Sequence, residues 1–133
     1  MSQEKTNTVI VKPFEVDKRF TKFSNDLIKH VMPTVSPNAW KILTVIWRQT
    51  EGWVEDKKTG KRKQWDEISY SQFMERTGIG STSTISRALK ELIEGGYISR
   101  GEATTKTGAL KRQSYMYRLR DQIEVKSTES GGA

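Results

Sequence analysis

The side chains able to do chemistry are concentrated in one stretch, STSTISRALKEL. Ser81, Thr82, Ser83, Thr84 and Ser86 bring five hydroxyls, and Arg87 and Lys90 bring two cations close behind them. Hydroxyls and cations packed this densely at the start of a helix hydrogen-bond anionic oxygens, and the free backbone N–H groups of the helix end point the same way. Further cations follow at Arg100, Lys106, Lys111 and Arg112. Another group precedes them at Lys57, Lys58, Lys61, Arg62 and Lys63, opposed only by Asp56.

Covalent and acid–base chemistry has little to work with. The chain has one histidine, His30, and no cysteine. Asp66 and Glu67 are adjacent, so on a strand they point apart. There is no glycine-rich phosphate loop with its lysine. The sequence therefore predicts no enzyme, no metal site and no cofactor, and His30 reads as a surface or packing residue.

The elements that must hold the hydroxyl-rich stretch lie in residues 69–96, SYSQFMERTGIGSTSTISRALKELIEGG. Ser69 and Gln72 fit a capping box at the start of a first helix, with Ser71 as the alternative cap. Phe73 and Met74 face inward. Thr77-Gly78-Ile79-Gly80 breaks that helix, Gly78 supplying a left-handed residue and Ile79 plugging the angle. Ser81 or Thr82 caps a second helix over 81–94. Ile85, Ala88, Leu89, Leu92 and Ile93 recur on one face at helical period, and Ser83, Ser86, Arg87, Lys90 and Glu94 occupy the other. Gly95-Gly96 stops it. Two capped helices joined by a glycine turn predict a helix-turn-helix.

The flanking sequence completes the fold. Residues 1–19 read as a flexible arm, with Val9-Ile10-Val11 a possible edge strand. Phe20, Phe23, Leu27 and Val31 space a helix over 20–32 that Pro33 ends. Ser36-Pro37 opens a strongly apolar helix to about residue 50, with Lys41, Thr44 and Arg48 as its polar stripe and Trp40 and Trp47 as packing residues. Trp53-Val54-Glu55 and Gln64-Trp65-Asp66 are expected to form a basic hairpin with the two tryptophans paired across it. Short strands are expected at 67–68 and 97–100 and a longer one at 113–120, where Tyr115, Tyr117 and Leu119 alternate with polar residues. GEATTKTGALKR between the last two is a polar loop. This order predicts an α+β, mainly helical fold: a winged helix-turn-helix over residues 20–120 with an extra N-terminal helix and a basic hairpin insertion. Residues 121–133 read as a flexible tail or linker.

Composition agrees with one such domain. The chain has 133 residues, a net charge of +7 and a pI of about 9.7. Such a balance favours a polyanionic partner, nucleic acid or an acidic membrane surface. The lack of cysteine suits a reducing, cytoplasmic setting, and no apolar run reaches the length of a membrane span.

Two runs, NAWKILTVIWRQTEGW and ISYSQFMERTGIGSTSTISRALKELIEGGYISR, resemble the N-terminal domain of phage replication protein O and related initiators. The Arg-Gln-Thr-Glu-Gly-Trp segment is the more particular part. The resemblance covers about residues 20–100, and its second half is shared with many winged-helix regulators. It implies recognition of repeated sequences in a replication origin, usually as a homodimer, with replication proteins as further partners. In the family a separate C-terminal part recruits the helicase loader. Little follows Arg120 here, so that role is not expected of this chain.

The functional expectation is sequence-specific binding of double-stranded DNA. Ser81, Thr82, Ser83, Thr84, Ser86, Arg87 and Lys90 would meet the duplex from the second helix. Arg87 is the residue suited to a guanine edge, with a salt bridge to Glu91, four residues on, as its local competitor. Arg100, Lys106, Lys111 and Arg112, with Lys61, Arg62 and Lys63, would contact phosphates. The rival readings are a winged-helix transcription regulator and a protein-interaction adaptor.

Overall fold

The structure, a computed structural model, describes residues 8–12, 22–50 and 65–125. It is α+β: helices pack on one face of a three-stranded antiparallel sheet. Phe20, the expected strand 53–55, the basic run 57–63 and residues 126–133 lie outside the described residues. Val9, Ile10 and Val11 belong to no strand and are 76–80% exposed.

The N-terminal helix is shorter and less regular than its apolar spacing predicts. It closes with a π turn over Leu27–Val31 and a 3₁₀ turn over Met32–Thr34. Pro33 sits inside the 3₁₀ turn rather than beyond the helix. Proline has no N–H and its ring crowds the carbonyl four residues back, which disfavours a regular α turn there. Met32 instead donates its backbone N–H to the Leu27 carbonyl, five residues back. Phe23, Leu27 and Val31 still face the core.

Helix α1, Pro37–Gln49, is the pillar of that core. Ser36 caps it by accepting from the Ala39 amide at 3.2 Å, and Pro37 occupies its first turn. Ala39, Ile42, Leu43 and Ile46 are fully buried. Thr50 ends it, its buried hydroxyl donating to the Ile46 carbonyl at 2.7 Å. Phe23 packs against both Trp40 and Trp47, at ring separations of 5.6 and 5.3 Å, so these indoles are packing residues.

Strand β1 is Asp66–Ser69, helix α2 Tyr70–Thr77, helix α3 Thr82–Glu94, strand β2 Ile98–Thr104 and strand β3 Leu110–Leu119. The sheet order is β1-β3-β2. Asp66, expected in a local hairpin, pairs instead with Tyr117 of β3. β2 and β3 both run further than the alternation of apolar residues indicates, leaving residues 105–109 as the turn. Their outer ends are mostly solvent-exposed, Ala103 being the one buried residue among 102–104 and 110–113, so the apolar alternation that a sequence displays stops short of them. The ladder slips between Glu102 and Thr104, and Gln113 takes φ 54°. Past the last strand, Ile123 and Val125 return to pack on the core. The packed body therefore extends beyond residue 120, because two apolar residues in a polar stretch are too few to form a readable pattern.

Candidate nucleic-acid interface

Local chemistry builds α2 and α3 as expected. Ser69 and Gln72 form a complete capping box, the serine hydroxyl accepting from the Gln72 amide at 3.1 Å and the glutamine oxygen from the Ser69 amide at 2.9 Å. Gly78 ends α2 at φ 77°. Buried Ile79 fills the turn. Ser81 caps α3, accepting from the Thr84 amide at 3.4 Å. Ile85, Ala88, Leu89 and Leu92 are buried beneath the helix. Thr82, Ser83, Ser86, Arg87, Lys90 and Glu94 are exposed, and together span about 140° of its circumference. Ser81 and Thr84 are half-buried at the edge of this arc.

The cations of α3 have different partners. Lys90 pairs with Glu94 at 3.9 Å, both side chains largely in solvent, an arrangement that contributes little and yields readily to another anion. Arg87 makes no ion pair with Glu91. Among the described residues its one hydrogen bond is to the Thr84 hydroxyl, at 3.4 Å. Glu91 reaches the start of α1, where its two oxygens accept from the Ser36 amide at 2.8 Å and the Ser36 hydroxyl at 2.7 Å. The local competitor for Arg87 is thus engaged by a residue 55 positions away. Nothing within α3 signals that contact.

The remaining predicted residues divide. Lys106 lies exposed in the β2–β3 turn, which Thr105 closes: its amide donates to the Ala109 carbonyl at 2.8 Å and its hydroxyl accepts from the Ala109 amide at 3.2 Å. Arg112 is exposed on β3. Lys111 is held by Glu67 at 2.8 Å, and the Ser114 hydroxyl donates to the same carboxylate oxygen at 2.8 Å. Strict alternation would put residues 111 and 114 on opposite faces; the left-handed Gln113 breaks it and brings them together. The Lys111 and Ser114 hydrogen bonds hold the Glu67 carboxyl below its ordinary pKa. Arg100 lies with its guanidinium 4.2 Å over the Tyr115 ring. Beneath it the Tyr117 hydroxyl is buried with no hydrogen-bond partner among the described residues, and burial pushes its pKa up. Lys61, Arg62 and Lys63 lie outside the described residues.

Sequence reasoning missed two charged groups. Arg118 pairs with Asp121 and faces the Trp65 ring, and Arg120 is exposed beside them. No helix among the described residues is long and apolar enough to cross a membrane. No protein-family model, curated protein or solved structure matches the chain.

Proposed function

We propose that the protein binds double-stranded DNA in a sequence-specific manner, with α2 and α3 as a helix-turn-helix, α3 as the recognition helix and the β2–β3 hairpin as the wing. One observation carries this reading. The exposed arc of α3 presents hydroxyls and an Arg87 that has no carboxylate partner among the described residues, because Glu91 is bound to Ser36. An unpaired guanidinium on an exposed helix face is equipped to donate two parallel hydrogen bonds to a guanine edge. Ser81, Thr82, Ser83, Thr84 and Ser86 supply phosphate contacts at the helix start, and Lys106 and Arg112 supply them from the hairpin. Arg100 and Lys111 are the weaker contributors, since Tyr115 and Glu67 already engage them.

The resemblance of residues 20–100 to phage replication protein O supports a replication initiator that reads origin repeats. Selection of bound fragments from a random duplex library at near-physiological salt tests the binding. Enrichment of one motif is the expected result, and its symmetry and spacing report whether two copies bind. Affinity that collapses as salt rises, with no motif enriched, overturns the reading. Sites repeated within the gene's own replication region mark an initiator. A site overlapping a promoter marks a transcription regulator.

A further inference from the structure

The sheet carries a second surface on the face turned away from α3. Met116 and Arg118 alternate along β3 with the buried Tyr117 and Leu119, so they point out of the core. Ser99 stands opposite Arg118 in the ladder, and Gly101 opposite Met116. Trp65, just before β1, lies over this face. A Cβ built on Gly101 would lie in ordinary contact with its ring, at 3.7 Å, and with Met116 Cβ, at 3.8 Å, which sets the indole against this strand. Trp65 as a residue is 37% exposed, whereas Trp40 and Trp47 are partly buried against the core. Beside it opens a shallow cavity of about 460 Å³, lined by Trp65, Ser99, Arg118, Arg120, Asp121 and Gln122.

The charges around the ring are arranged unequally. The Arg118 guanidinium lies 5.8 Å from the Trp65 ring centroid. It is held by Asp121 and by the Leu119 carbonyl, to which its Nε donates at 3.1 Å. Arg118 and Asp121 therefore neutralise each other. The Arg120 guanidinium has no hydrogen-bond or ion-pair partner among the described residues and leaves the rim positive. We infer that this face binds single-stranded DNA, one unpaired base stacking on Trp65 while Arg120 takes an adjoining phosphate. Ser99 and Gln122 offer hydrogen bonds to the edge of the base. Stacking on an aromatic ring accepts any base, because each has a π face. A duplex cannot use the site, since its bases are already stacked on one another. An apolar protein partner fits it poorly, because every described lining residue except Trp65 is polar or charged. The site shares no residue with the duplex-reading face of α3 and does not depend on that assignment.

The test titrates the full chain with oligo(dT) of about 12 nucleotides, reading tryptophan fluorescence and the anisotropy of a labelled strand. Quenching is expected in the wild type. Trp65→Ala is expected to weaken oligo(dT) binding about tenfold or more, and Trp65→Phe to restore most of it. Arg120→Ala is expected to weaken binding and reduce its salt dependence. Arg87→Ala is expected to leave it unchanged, and Trp65→Ala to leave duplex binding unchanged. The inference is overturned by an absence of quenching, which would leave the face to a protein partner. It is equally overturned if Trp65→Ala binds oligo(dT) like the wild type. If Trp65→Ala loses single-strand and duplex binding together and Trp65→Phe does not rescue, Trp65 only supports the fold and the inference fails.

Discussion

Glu91 shows how one carboxylate can influence two functions. Its oxygens complete the N-terminus of α1 through Ser36, and Arg87 is left with no carboxylate partner among the described residues. Hydrogen bonds to a charged group contribute more than neutral ones, so Glu91→Ala is expected to lower stability by about 1–3 kcal/mol, measured as the urea midpoint at constant m. Arg87→Ala is expected to cost about 1–3 kcal/mol against the selected duplex site and far less against random duplex, measured by competition binding. Equal loss on both would reduce Arg87 to a phosphate contact. Glu67 supplies a pH effect. Its folded pKa is lowered by Lys111 and then Ser114. A carboxyl depressed in this way contributes stability above its unfolded pKa and loses it as pH falls through the folded value. The contribution is thus complete at neutral pH and disappears in acid. In a carboxyl-carbon NMR titration, Glu67 is expected to titrate below an ordinary glutamate, and Lys111→Ala to move it back up.

The helix ends are where the elements are most sharply specified. α3 closes with a Schellman arrangement: Tyr97 donates to the Leu92 carbonyl at 2.9 Å and Gly96 to Ile93 at 3.1 Å. The sequence offers two glycines for this role, and the structure assigns them differently. Gly96 is the left-handed one, at φ 79°. Gly95 stays right-handed but is crowded: a Cβ there would fall 2.5 Å from the Tyr97 ring and 3.0 Å from the Glu91 carbonyl. Gly96→Ala places an L residue in the left-handed region and is expected to lower stability by about 1–2 kcal/mol, measured by thermal unfolding with duplex affinity retained at low temperature. The capping box of α2 and the Gly78 turn were legible because every group in them lies within a few residues of its partner. The π turn before Pro33 was not, because the stripe of Phe23, Leu27 and Val31 fits either a regular or a widened helix.

At the scale of the whole molecule, α1 organises the rest: α2, α3 and β3 all pack against it, with Ile42, Leu43 and Ile46 at the centre. The net charge of +7 then acts on a body whose cations are unevenly free. Duplex affinity is expected to fall log-linearly with salt. Lys106→Ala is expected to weaken all duplex sequences alike and to lower the slope by about one. Lys111→Ala is expected to lower it less, because Glu67 already holds that ammonium. Titrations across a salt series measure both.

The sequence by itself determined the order of α1, α2, α3, β2 and β3, the caps and turn of α2 and α3, the buried face of each long helix and the basic balance of charge. These depend on groups one to four residues apart or on composition, and such groups stay near one another along the chain whatever the rest of the fold does. Only the tertiary structure decided which charges are available. Glu91 goes to Ser36, Lys111 to Glu67, Arg118 to Asp121 and Trp65, and Arg87 and Arg120 are left without an ion-pair partner among the described residues. Two of those partners lie 44 and 55 residues apart in the chain. A charged side chain pairs with whichever opposite group the fold brings within a few ångströms, and at that range local spacing carries no information about the choice.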